Sequence, residues 1–323
     1  MNTKKSLREA WQGLLDGQSY IIACHGRPDG DALGSALALA HVLRRFGKEV
    51  VVVCEDVVPG NYAFIPESES IVTATQRRDF DFGVLVDSEA PKRVGSAAAA
   101  VTSAAKTACI DHHVPNGAFG DVRAVDTGAS ATAVVIYEML KANEVELDVT
   151  LATQLMAALI ADTGGFRFGN TDARSFEVAA ELAKLGAQPS WIYRAIFDSK
   201  PITAGKLLGH ALNSMKTDES GRVIWAEITQ ADLAELQATD ADTDSIVNHI
   251  GAIKGSQVAI LFRETKPGVV RTSLRSRGGY DVDRVARVFD GGGHKAASGC
   301  TVKAPLAEAE KMVIDEVLKW MES

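Results

Sequence analysis

The sequence predicts an α/β protein with an N-terminal, mostly parallel sheet flanked by helices and a smaller C-terminal α/β domain, the active-site cleft falling between them. Three observations predict this. Four short apolar runs in the first half are separated by helical stretches, and that alternation requires crossover connections and a parallel sheet. The pattern changes over residues 186–205, which hold Pro189 and Pro201. A chain of 323 residues is long for one core and comfortable for two. The expected division is residues 1–187, a connecting segment over 188–215, and residues 216–323.

The elements follow in order. The start reads as an amphipathic helix with Leu7, Trp11, Leu14 and Leu15 on its buried side. Tyr20–Cys24 is a buried strand and Ala36–Phe46 a helix; residues 25–35, His-Gly-Arg-Pro-Asp-Gly-Asp-Ala-Leu-Gly-Ser, form the loop between them. Gly30 and Gly34 are expected to let that loop bend and admit an anion to the helix amides. Glu49–Glu55, Phe82–Asp87 and Thr107–Asp111 are further strands, with an alanine-rich helix over Val94–Ala105. Helices are expected over Ser130–Asn143, Asp148–Ala161 and Asp172–Leu185. If Phe166-Arg167-Phe168 is a short strand, Arg167 points opposite to the two rings. In the second half, Arg222–Ile228, Gln257–Arg263 and Val269–Arg275 read as strands. Asp281–Phe289 reads as a helix, Gly291–Gly299 as a glycine-rich loop, and Leu306–Met321 as the last helix.

Composition narrows the function classes. The chain is 46% hydrophobic and 24% charged, ordinary for a globular protein. No apolar run approaches the roughly 20 residues of a membrane span, and the first residues lack an apolar secretory stretch. The four cysteines, Cys24, Cys54, Cys109 and Cys300, are widely spaced and read as buried thiols of a cytoplasmic protein. A net charge of −8 argues against a general nucleic-acid coat. It leaves room for a small polyanionic substrate, and residues 254–295 carry nine Lys or Arg against four Asp or Glu.

The chemistry is concentrated at strand ends, where open α/β sheets bind ligands. His25, Asp29 and Asp31 follow the first strand, Asp87 ends the third, and His112 and His113 follow the fourth. On the first loop alone, a solvated acidic turn with a capping Asp explains the residues as well as a metal does. Three coincidences at equivalent strand ends favour metal, and a mixed imidazole and carboxylate set suits Mn²⁺, Zn²⁺ or Fe²⁺ better than Ca²⁺ or Mg²⁺. Asp162 ends an apolar helix, where the dipole disfavours an anion and a cation would compensate.

Together these motifs resemble the DHH phosphoesterase family. His25-x-x-x-Asp29-x-Asp31, Asp87, the triplet Asp111-His112-His113, and Asp162 in Asp-Thr-Gly appear in the family's order. Gly291-Gly-Gly-His294…Gly299 resembles the loop of its DHHA-type domain. The match is to the two-domain branch, and it covers nearly the whole chain. The resemblance implies a hydrolase of short oligonucleotides, an exonuclease of the nanoRNase kind. It would release 5′-mononucleotides and also convert 3′-phosphoadenosine 5′-phosphate (pAp) to AMP and phosphate. It implies two Mn²⁺ ions, with Mg²⁺, Co²⁺ or Fe²⁺ as alternatives, that activate a hydroxide. His25, Asp29 and Asp87 would hold one ion; Asp31, Asp87, His112 and Asp162 would hold the other, with Asp87 bridging. His113 would face the phosphate, the plainer role being to orient its neighbour. Substrate would be held by Arg275, Gly292, Gly293 and His294, with Gly291–Gly293 as an anion nest, and by Arg167; ordinary surface charge is the plainer reading of Arg275. A cleft closed at its far side would prefer dinucleotides and short RNA or DNA oligomers. Relatives in the family also form homodimers. The competing readings are a phosphodiesterase of cyclic dinucleotides or their linear products, a pyrophosphatase, and a catalytically inactive nucleotide-binding module. The sequence departs from the family's pattern at Arg27, often Asn, and at Asp290, often Gly. Both lie beside the expected substrate path and bear on substrate preference.

Overall fold

The computed structural model describes residues 3–114, 117–277 and 279–322. The chain forms two units, residues 1–199 and 200–323.

In the first unit, α1 (Thr3–Leu15) is followed by β1 (Ser19–Ala23), α2 (Gly30–Arg45) and β2 (Glu49–Val53). Then come β3 (Phe82–Val86), α3 (Ala98–Thr102), β4 (Lys106–Asp111) and β5 (Val122–Val125). Four helices follow: α4 (Thr132–Ala142), α5 (Val149–Asp162), α6 (Ala173–Lys184) and α7 (Pro189–Phe197). The sheet has the order β2-β1-β3-β4-β5 and every pairing is parallel. The carboxyl ends of β1, β3 and β4 therefore lie side by side, and each of these strands is followed within two residues by a candidate ligand: His25, Asp87 and His112. β1 and β3 are buried along their whole length, as expected of a parallel sheet covered on both faces. α1 buries Leu7, Trp11 and Leu14 of the stripe its periodicity predicts, and leaves Leu15 half-buried against the same core.

Several local expectations are corrected. α2 begins at Gly30, not Ala36, because Asp29 caps it: Asp29 Oδ1 accepts from the amides of Asp31 (3.1 Å) and Ala32 (3.0 Å). Gly30 and Gly34 serve helix packing, not anion approach. A Cβ on Gly30 would stand 2.5 Å from Ala161 Cβ, and one on Gly34 would stand 2.6 Å from the Gln154 carbonyl, both on α5. The alanine-rich stretch is a 3-10 run, Pro91–Ala97, that breaks at Gly95 (φ 51°) before the short α3. A Cβ on Gly95 would fall 1.8 Å from the Glu55 carboxylate. Phe166-Arg167-Phe168 is a turn, not a strand. Gly164, Gly165 and Phe166 are successively left-handed at φ 58°, 70° and 64°. The chain thereby coils back on the end of α5, the Arg167 and Phe168 amides donating to the Thr163 carbonyl at 2.9 and 3.0 Å.

The segment expected to connect the domains is shared between the units. α7 places Ile192 and Ile196 in the first core. The second unit begins with α8 (Ile202–Asn213), whose Leu207 and Ala211 belong to the second unit's core. It continues with β6 (Lys216–Thr217), β7 (Val223–Ile228), α9 (Gln230–Glu235), α10 (Ile246–Ile250), β8 (Val258–Lys266) and β9 (Val269–Ser276). α11 (Val282–Val288), β10 (Gly292–His294), β11 (Ala297–Val302) and α12 (Leu306–Glu322) complete it. The sheet order is β10-β11-β9-β8-β7-β6, with β7 and β8 the parallel pair. Alternate residues of β7 supply two cores: Val223 and Trp225 meet α11 and α12, whereas Ile224 and Ala226 meet α8 and α10. The glycine-rich stretch is a β-hairpin, not a loop. Gly292 pairs with Gly299 and His294 with Ala297, and the Gly291 amide donates to the Ala286 carbonyl at 2.9 Å. The expected nest of three bare amides is thus already partly spent. The glycines instead admit close chain approach, since a Cβ on Gly291 would stand 2.3 Å from the Gly299 carbonyl oxygen.

Arg27 and Asp290 are both left-handed, at φ 53° and 55°. Asn and Gly, the residues the family's pattern puts there, tolerate that region best. Asp290 follows the end of α11, the position where helices commonly stop on glycine. Arg27→Asn and Asp290→Gly are each expected to raise stability, by up to about 1 kcal/mol. Urea denaturation checks this: the midpoint should rise with no change in slope. No helix among the described residues is long and apolar enough to cross a membrane.

Candidate metal centre

The strand order carries His25, Asp87 and His112 to one edge of the first sheet, and the capped start of α2 and the end of α5 add Asp29, Asp31 and Asp162. These side chains converge in overlapping sets. The ligand atoms of His25, Asp29 and Asp87 lie within 4.8 Å of one another, as do those of Asp31, His112 and Asp162, and of Asp87, His112 and His113. Asp87 links the first two sets. Its Oδ2 is 3.4 Å from His25 Nε2, and its Oδ1 is 3.6 Å from His112 Nε2. His112 Nε2 is also 3.9 Å from Asp31 Oδ2 and 3.8 Å from Asp162 Oδ2.

The imidazoles are aimed by their other nitrogens. His25 Nδ1 is 2.9 Å from the Gly26 carbonyl, and His112 Nδ1 is 3.2 Å from that of Ala129. Each Nδ1 therefore carries a proton, which aims Nε2 at the carboxylates, where it would become a ligand once a cation displaced any proton it holds. His113 is turned the other way, its Nδ1 donating to Asp111 Oδ1 at 2.8 Å. Asp111 Oδ1 also accepts the amides of His112 (2.8 Å) and His113 (3.1 Å), so it holds the triplet's backbone and one ring together.

The carboxylates are held with equal care. Asp31 is fully buried. Its Oδ1 accepts from Ser35 Oγ (2.8 Å) and the Ala133 amide (3.1 Å), and its Oδ2 from the Thr132 amide (2.6 Å). Thr132 Oγ1 donates to Asp87 Oδ1 at 2.8 Å. Asn170 Nδ2 reaches Asp162 Oδ2 at 3.2 Å. Asp87 sits at φ 58°, a left-handed residue at the end of β3, and that kink turns its carboxylate into the cluster.

The electrostatics describe a site short of positive charge. Burial, with the charges of Asp87 and Asp162, pushes Asp31 far above the usual carboxylate range. Burial raises Asp162 to about 7 against the pull of His112, with Asp87 and Asp29 adding to the rise. For Asp87, the hydrogen bond from His25 and the charges of His113 and His112 outweigh burial and hold it low. Burial pushes His25 down, but Asp87 and Asp29 outweigh it and lift the ring to about 8. The ion pairs found for Asp31, Asp87 and Asp162 among the described residues are all with histidine. Four carboxylates facing mainly imidazoles are a donor set that divalent cations fit: they would replace the shared protons and neutralise the acids.

In the second unit, Arg275 on β9 donates from Nε to Asn248 Oδ1 at 2.9 Å and from Nη1 to the Leu274 carbonyl at 3.0 Å. Desolvation lowers its pKa, and neither of these partners is an acid, which suits the residue to an anionic ligand. Gly292, Gly293 and His294 form the edge strand of the same sheet, with His294 exposed. Arg167 lies exposed on the turn beyond α5. Three contributors escape a reading of the sequence: Thr132, Asn170 and the orienting role of Asp111. Asp111 stands inside a conspicuous triplet. Thr132 and Asn170 carry no pattern of their own.

Residues 19–161 match the DHH family, N-terminal domain, and residues 220–323 match the DHHA1 domain. The chain is 32% identical over 305 residues to the bifunctional oligoribonuclease and PAP phosphatase NrnA of Thermus thermophilus, an alignment covering 94% of this chain and 90% of that protein. To the protein of the same description from Bacillus subtilis it is 28% identical, over 92% of this chain and 93% of that one. A solved structure of an exopolyphosphatase-related protein from Bacteroides fragilis superposes with a TM-score of 0.91 at 23% identity, covering 98% of this chain and 96% of that chain. That likeness is one of fold.

Proposed function

The chain belongs to the DHH family, and from that premise we propose that it is a metal-dependent phosphoesterase that cleaves short oligonucleotides to 5′-mononucleotides and converts pAp to AMP and phosphate. The observation that carries this reading is the position of Asp87, whose two oxygens face the imidazoles of two separate ligand sets, at 3.4 and 3.6 Å. The two relatives described above, both named for these two activities, support the choice of substrate.

His25, Asp29 and Asp87 would hold one cation, and Asp31, Asp87, His112 and Asp162 a second. Mn²⁺ suits this mixture of nitrogen and oxygen donors, with Mg²⁺, Co²⁺ or Fe²⁺ as alternatives. Such cations, when bound, supply activation of water near neutral pH and neutralisation of phosphoryl charge. The protein's own groups do the rest. Asp111 accepts from His113 Nδ1 and so fixes which ring nitrogen can serve the substrate. His113 then donates from Nε2 to the phosphoryl or leaving oxygen. Arg275 offers a partly desolvated guanidinium to a substrate phosphate, and Gly292, Gly293, His294 and Arg167 complete the proposed substrate contacts. Four free, buried cysteines support a reducing, cytoplasmic setting.

Product release from a panel tests the reading: a dinucleotide, a long single strand, pAp, pyrophosphate and cyclic di-AMP, each with and without Mn²⁺. The dinucleotide and pAp should be turned over with Mn²⁺ alone and ahead of the others. Faster turnover of cyclic di-AMP or pyrophosphate would overturn the substrate assignment, and activity indifferent to chelation would overturn the metal assignment.

A further inference from the structure

α4 begins without a side-chain cap: its N-cap is Ala131, whose methyl cannot accept a hydrogen bond. The amides of its first turn are satisfied instead by Asp31, Thr132 at 2.6 Å and Ala133 at 3.1 Å. Thr132 is fully buried, and its hydroxyl donates to Asp87 Oδ1 at 2.8 Å. One residue thus grips two carboxylates, Asp31 by its backbone and Asp87 by its side chain.

The two grips differ in consequence. Among the described residues Asp31 accepts three hydrogen bonds, so the loss of one leaves two. Among the described residues, the ion-pair partners of the Asp87 carboxylate are the imidazoles of His25, His112 and His113. Two of these belong to the proposed ligand sets and would turn to the cations. The Thr132 hydroxyl has one hydrogen and spends it on Oδ1, so it also selects between the two carboxylate oxygens. That selection leaves Oδ2 for the set containing His25 and Oδ1 for the set containing His112.

Resting on the metal reading above, we propose that Thr132 is a positioning residue, whose hydroxyl fixes the rotation of the Asp87 carboxylate so that its two oxygens serve two different cations. Loss of the hydroxyl lets the carboxylate turn, and the divided set is no longer preformed. Loss of an outer hydrogen bond of this kind lowers metal affinity by about 10–100-fold.

The test is calorimetric titration of the metal-free, full-length chain with Mn²⁺, comparing the wild type with Thr132→Val and Thr132→Ser, together with thermal melts of each metal-free protein. Valine keeps the shape and removes the hydroxyl; serine keeps the hydroxyl. The expected result is about 10–100-fold weaker binding in the valine variant and near wild-type binding in the serine variant. Equal binding by wild type and valine variant would overturn the positioning role, as would equal weakening by valine and serine, since packing alone would explain that. Should the valine variant melt below the working temperature, Thr132→Ala against Thr132→Ser carries the same comparison. A wild-type chain that takes up no Mn²⁺ overturns the metal reading itself, a failure distinguishable from the others.

Discussion

Replacing Asp87 by asparagine is expected to lower the turnover of every phosphoester substrate by about 10³-fold or more, roughly 4 kcal/mol of transition-state stabilisation. The substitution is chosen so that the fold survives it. Asp87 is left-handed at φ 58°, and asparagine is among the few residues that accept that conformation readily. The Thr132 hydroxyl can still donate, now to an amide oxygen. What is removed is the charge, and with it the link between two ligand sets. Asp87 also holds His25 as an imidazolium in the metal-free protein, so His25 should titrate below its present value of about 8 in the variant. Steady-state rates on a dinucleotide and on pAp, with metal content by mass spectrometry, check this. A variant that keeps both its cations and its rate would exclude Asp87 from the chemistry.

The second large effect is expected at His113. His113→Gln should lower kcat by about 10²–10⁴-fold, the usual worth of a positioned proton donor, and leave metal content unchanged. Burial pushes this imidazole down, but the hydrogen bond to Asp111 and the charges of Asp87 and Asp111 outweigh it, so it stays protonated to higher pH than a free ring. A group needed in its protonated form gives a rate that falls as pH rises through its pKa. That alkaline limb should be absent from the pH–kcat profile of the glutamine variant. If metal were lost along with the rate, His113 would be an outer partner of the centre and not a donor to substrate.

The parts of the fold that were legible in the sequence are those with a strong period or a sharp break. β1 and β3 are apolar almost throughout and β4 has an apolar centre, and His25, Asp87 and His112 stand within two residues of their ends, so the shared edge follows from the parallel pairing of the strands. α1 was legible because Leu7, Trp11 and Leu14 repeat at helical spacing. The start of α2 was not, because Asp29 serves both as a helix cap and as a proposed ligand, and the glycines behind it look like loop punctuation when they in fact let α5 pack closely. The glycines Gly164 and Gly165 mark a turn after α5, but its extension through Phe166 is not legible, because a left-handed residue of that type leaves no periodic trace. β5 is four residues long on a sheet edge, too short to signal itself. Thr132 was invisible for a different reason: half of its work is done by its amide, which every residue type except proline possesses.

The proposed function requires two cations that share Asp87. Anomalous diffraction from crystals of the full chain grown with Mn²⁺ measures this most directly. Two manganese peaks per chain are predicted, one bounded by His25, Asp29 and Asp87 and the other by Asp31, Asp87, His112 and Asp162. No peak within that cluster, or peaks that leave Asp87 uncoordinated, would contradict it.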